Sequence, residues 1–262
     1  MKRWVVLFAI AACGDGDSTP IDAPRSDAAD AAPDAPGFDC TSPGTGTHKV
    51  FLAVDGVTLT KASVSDAPMN RSAIFQGNTM MATIAPWRMA AADRTTQVQE
   101  LTCAVRTSLA RWNVQVVTAR PASGAYEMIV IGGKATDFGI AVPSGTAIAM
   151  VATNDCMNGN QLDVGWVAEI PAPSMPTVTL TPIETANLAM AALGIGDGLA
   201  ASKSVTNCMC PAGSNEPQNC SATTACEFSN ASPIPSGGNY CNAPGTTEDQ
   251  TAKLTVRYGL RP

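Results

Sequence analysis

The sequence predicts an α+β domain, a mixed twisted sheet packed on two main helices with a cysteine-rich loop region in its C-terminal part. Three observations predict it. Short apolar runs with strand character alternate with two helical stretches along the 262 residues. One of those helices is apolar on nearly every side, as a helix buried at the centre of a fold must be. Five of the nine cysteines lie within 208–241 among Asn, Ser, Pro and Gly, where covalent links rather than a core would hold the chain.

The elements follow in order. Residues 50–59 (VFLAVDGVTL) read as a strand, bent at Asp55-Gly56, and 63–90 as loop with a few apolar patches. Residues 93–112 read as a helix. Thr96 and Gln99 have capping-box spacing, and Val98, Leu101, Val105, Leu109 and Trp112 recur at helical steps. Strands are expected over 114–118, 126–131 (YEMIVI), 146–152 (TAIAMVA) and 161–170 (QLDVGWVAEI), with Trp166 in the core. The second helix opens on Thr181-Pro182-Ile183-Glu184, which supplies an N-cap, a proline at the first helical position and a glutamate at the third. It closes in the glycine-rich turn Gly194-Ile195-Gly196-Asp197-Gly198.

Ahead of this domain stand two segments of another kind. Met1-Lys2-Arg3 is a positive n-region, and residues 4–12 (WVVLFAIAA) form an apolar run of signal-peptide size, too short to span a bilayer. The run ends in Ile10-Ala11-Ala12-Cys13, which resembles the bacterial lipobox. That resemblance implies removal of residues 1–12 and acylation of Cys13, so the first partner is a lipid membrane and the address a bacterial envelope, periplasmic or cell-surface. Residues 14–38 hold six Asp, four Pro and one Arg and almost no bulky apolar side chain. Such a segment cannot bury enough surface to fold, so 13–39 is expected to be an extended tether reaching about 80 Å at most. The folded domain then occupies 40–262. The tether supplies most of the net charge of −6. No basic stripe or patch with interleaved aromatics is present, so a nucleic-acid partner is not expected.

Setting Cys13 aside leaves Cys40, Cys103, Cys156, Cys208, Cys210, Cys220, Cys226 and Cys241. An even number in an exported chain predicts four disulfides, with the pairing open among 105 connectivities. Thiolate zinc at Cys208, Cys210, Cys220 and Cys226 is the competing reading. It lacks paired C-x-x-C spacing, and the absence of any C-x-x-C also excludes that type of redox enzyme.

Residues 191–201 read AALGIGDGLAA, with Leu193-Gly194 and Gly198-Leu199 in sequence, and Asn207-Cys208-Met209-Cys210 follows. With the segment from Trp112 to Gly133 upstream, this order resembles the metzincin zinc peptidases over roughly 48–211. That family writes H-E-x-x-H-x-x-G-x-x-H on its central helix and places a methionine beneath the metal, the position of Met209. The resemblance implies a zincin-like fold and denies its chemistry. The three zinc-ligand positions are Ala191, Ile195 and Ala201, and the general-base position is Ala192. The reaction needs two imidazoles one turn apart to grip one ion and a carboxylate beside them to take a proton from bound water. The chain holds a single histidine, His48, so three-nitrogen ligation is impossible in the monomer. No catalytic residue and no cofactor are expected. The expectation is a pseudoenzyme with a drier, more apolar groove, binding a peptide or protein segment. Residual or unrelated hydrolysis and a structural envelope role are the alternatives.

His48 in a hydrolase triad lacks a G-x-S-x-G elbow and reads as a surface residue at a strand start. Asp197 between two glycines reads as a turn cap rather than a cation ligand. Asp155, Asn158, Asn160 and Asp163 lack EF-hand spacing and read as a polar turn. Gly132-Gly133-Lys134 lacks the rest of a phosphate loop and reads as a strand end.

Overall fold

In a computed structural model the described residues are 39–144, 146–156, 159–171, 179–210, 220, 223–235, 241 and 247–262. The signal segment, Cys13, the tether to residue 38 and Asn158 lie outside them. No helix among the described residues is long and apolar enough to cross a membrane.

The chain is α+β, as expected, with three α-helices among the described residues where two main ones were expected. In order the elements are β1 (His48–Ala53), β2 (Val57–Lys61), β3 (Arg71–Ser72), β4 (Met81–Ile84), α1 (Arg94–Ser108), β5 (Val114–Val117), β6 (Glu127–Ile131), β7 (Met150–Val151), β8 (Val164–Val167), α2 (Pro182–Gly196), β9 (Ser232–Pro233), β10 (Thr247–Glu248) and α3 (Gln250–Tyr258). The central sheet runs β5-β1-β6-β8-β7; its pairs are parallel except the last, where β7 lies antiparallel on β8. A second sheet, β3-β2-β4, and the short ribbon β9-β10 complete the strands.

Both faces of the central sheet are buried, as parallel sheets require. Alternation along each strand sorts the side chains. Val50 and Leu52 of β1 and Ile129 and Ile131 of β6 face a core shared with α1, α2 and α3. Phe51, Ala53, Met128 and Val130 face a second core with Leu59, Ala82 and Ile84 of the small sheet and Phe138 beyond it. Trp166 is fully buried there and donates Nε1–H to the Gly132 carbonyl, as its expected core position demands.

Several expected elements change. The strand expected over 50–59 is two strands in two sheets. Gly56 (φ 86°) turns the chain, and a Cβ on it would stand 2.8 Å from the Ile84 carbonyl. The loop expected over 63–90 contains β3 and β4. Helix α1 starts where expected, with Asp93 as N-cap and no side-chain cap, and ends early at Ser108; Thr96 is already inside the helix, so the Thr96–Gln99 box is not formed. Of 146–152 only two residues join the ladder, because Ile148 N–H turns to the Pro171 carbonyl instead. By contrast the α2 box forms in full: Glu184 N–H donates to Thr181 Oγ1 at 3.1 Å and Thr181 N–H to Glu184 Oε2 at 2.6 Å.

All eight cysteines are paired: Cys40–Cys103, Cys156–Cys241, Cys208–Cys226 and Cys210–Cys220. The four considered for zinc are thus bonded to one another. Cys40–Cys103 ties the entry to β1 onto α1, closing a separation of 63 residues.

Candidate functional site

Helix α2 is central. Residues 185–196 are all buried, against α1, β6, β7 and β8. It lies close to the sheet because Gly165 of β8 has no side chain; a Cβ there would stand 3.1 Å from Ala192 Cβ and 2.9 Å from Ile129. On another side it meets Met209, whose sulfur would be 2.3 Å from a Cβ at Gly194. Met209 itself is held from both backbone ends. Its N–H donates to Asn207 Oδ1 at 2.8 Å, and its carbonyl accepts from Ser202 N–H at 3.0 Å. The 223–228 segment is tied to α2 by Asn187, which donates to the Thr224 carbonyl and accepts from Cys226 N–H, each at 3.0 Å.

The four positions read as a vanished metal site are closed. Ala191, Ala192, Ile195 and Ala201 are at most 5% exposed and share one core with Leu199, Met209 and Phe228. The expected apolar groove is therefore corrected. Methyl-lined walls gain by shedding water, and here they pack into continuous core rather than leaving a cleft. What remains beside Ala192 is a void of about 10 Å³ between Glu127, Asp163 and Gly196, the size of one water.

Residues 155, 160 and 163 form the expected polar turn. Asn160 N–H donates to Asp155 Oδ2 and Asn160 Nδ2 to Asp163 Oδ1, both at 2.7 Å. Among the described residues no three His, Cys, Asp or Glu side chains are arranged to hold a metal ion.

The strongest polar feature is one the residue pattern left unassembled. Glu127 opens β6, Asp197 ends α2, and Arg257 and Tyr258 end α3. Their side chains meet inside the protein. Arg257 pairs with Glu127 Oε1 and, at 3.3 Å through Nε, with Asp197 Oδ1. The Tyr258 hydroxyl is 2.7 Å from both Glu127 Oε2 and Asp197 Oδ2. A phenol has one proton, so it can donate to only one of the two carboxyls. Burial first, and the Glu127 charge second, push Asp197 well above the ordinary carboxyl range. In its protonated form Asp197 can share the bond to Tyr258 as donor while Tyr258 donates to Glu127. Asp163 joins the same field: burial first, then Glu127, raise it to about 7. Burial works against the Arg257 charge, but Glu127 and Asp197 outweigh it and hold the guanidinium above its usual value. The Tyr258 hydroxyl is raised by burial and by both acids, so it stays a donor. Asp197 is thus more than the turn cap expected: it occupies the C-cap of α2 and knots that helix to α3.

Against this cluster lies a cavity of about 300 Å³, walled by His48, Lys49, Gln161, Glu127, Arg257 and Tyr258. His48 is half-buried in that wall rather than on the open surface, its ring edge-on to Tyr258 at 5.5 Å. Among the described residues no serine or carboxylate hydrogen-bonds its imidazole, so a triad is not assembled. A signal for this cluster existed in the sequence. Glu127 is the single charge in an otherwise apolar strand, and a buried charge demands a partner.

Comparison of the chain with protein-family models, with curated proteins and with solved structures finds no match.

Proposed function

We propose that this chain is an exported lipoprotein, held to a bacterial membrane through acylated Cys13. Its domain is read as metzincin-like, without metal or catalysis, and as binding a peptide or protein segment. The observation that carries the reading is the state of α2. A central helix presents Ala191, Ala192 and Ile195 where the resemblance calls for two histidines and a glutamate, and Met209 lies against its Gly194. Removal of every ligand and of the base fits loss of the reaction, since each is needed to hold or activate the metal-bound water.

The test uses the mature chain. Incubated with casein and with a randomised peptide library, it leaves both intact with or without added zinc, yet retains a subset of the peptides when immobilised. Cleavage abolished by a chelator ends the reading, as does failure to retain any peptide. In cells, Cys13→Ser shifts the protein from the membrane to the soluble fraction; an unchanged distribution removes the lipid anchor from the account.

A further inference from the structure

We infer that the cavity at the start of β1 and β6 is a binding site for a small carboxylate-bearing ligand. It is separate from the degenerate positions on α2, none of which lines it. Its volume of about 300 Å³ falls at the lower bound of small-molecule sites.

The floor is built in advance. The side chains of Glu127 and Arg257 are only 6% and 5% exposed, yet both reach the cavity wall. Tyr258 and Asp197 fix them from behind. A guanidinium oriented in this way needs no reordering when an anion arrives, which lowers the entropy cost of binding.

The hydrogen-bonding capacity left over selects the ligand's charge. Glu127 is the one carboxylate in the wall, and both its oxygens already accept, from Arg257 and from Tyr258. Among the described residues, the Lys49 ammonium, the His48 imidazole and the Gln161 amide have no partner. Those groups are donors, or become donors on protonation, and one is a permanent cation at neutral pH. A carboxylate pairs with the Lys49 ammonium and accepts from Gln161 and His48; an ammonium ligand would face the Lys49 charge, while the Glu127 charge is already matched by Arg257. The group could be supplied by a free dicarboxylate or by the C-terminus of a peptide, which present the same chemistry.

His48 is the only histidine in the chain, so its ring gives one imidazole signal and reports this cavity alone. The experiment titrates the mature protein with glutarate, with trialanine, and with their neutral counterparts glutaramide and trialanine amide, while following that signal. Putrescine serves as the cationic control. Saturable shifts are expected with glutarate, trialanine or both, and none with the amides or the diamine. Response to glutarate alone identifies a free acid, and response to trialanine alone identifies a peptide terminus. Lys49→Gln is expected to weaken binding about tenfold or more, the scale of one charge-assisted hydrogen bond. The ring signal also shows whether that variant is folded. No saturable shift with either acid, an equal response to the amides, or unchanged affinity in folded Lys49→Gln overturns the inference.

Discussion

Asp163 shows how a single side chain can carry a pH response. Its Oδ1 accepts from Asn160, while its Oδ2 is buried with no partner. In the unfolded chain it loses its proton near 3.8; in the fold it keeps it to about 7. Between those values the folded state binds the extra proton, so this residue's contribution to stability is full below about pH 4 and is lost as pH rises through about 7. Asp197 acts in the same direction. Asp163→Asn keeps the Asn160 bond and removes the ionisation. Denaturant melts from pH 4 to 8 should show a flatter profile for the variant and a gain of about 1–3 kcal/mol at pH 8. A profile parallel to that of the unaltered protein would contradict this. The sequence showed Asp163 only as part of a polar turn, because its burial depends on α2, whose Gly196 lies against it.

At the scale of elements, α2 was the most legible part of the chain. Its capping box, proline and all-round apolar character are local signals, and the packed structure keeps each of them. The close approach of Met209 to Gly194 is not local, and it makes a sharp prediction. Gly194→Ala should gain about 1 kcal/mol in helix propensity, yet a methyl group there would meet a fully buried sulfur at 2.3 Å. The clash should win, with a net loss of about 1–3 kcal/mol in denaturant melts. Met209→Ala combined with Gly194→Ala should cost less than the sum of the single changes; additive costs would mean that the contact is absent. Helix α3 escaped the sequence because its stripe is thin. Of its apolar residues only Leu254 and Tyr258 turn inward, while Val256 is 90% exposed. The split of β1 from β2 was missed for a different reason. One glycine with positive φ redirects the chain into another sheet, and pattern alone reads Asp55-Gly56 as a bend within one strand.

Across the whole molecule, covalent links and buried charge fasten the layers. Cysteine parity predicted four disulfides, and eight paired cysteines were found, but pairing is a property of the fold and not of spacing. Cys40–Cys103 closes the long segment that holds the small sheet, and it restricts the unfolded chain most directly at the entry to β1. Replacing both cysteines by alanine should cost about 2–4 kcal/mol. A melting curve unchanged by the double replacement would show that the link adds nothing. The expected groove was the least legible feature. Sequence showed apolar residues at positions 191, 192, 195 and 201; whether they line a cleft or fill a core depends on what packs over them, and Leu199, Met209 and Phe228 belong to that same core.

The central claim of the proposed function is that α2 holds no hydrolytic metal, and elemental analysis tests it most directly. The mature protein, purified without chelator from medium containing zinc, should hold well under one tenth of an equivalent of zinc per chain, on the order of background. One tightly held equivalent, removed by a chelator together with peptide cleavage, would contradict the account.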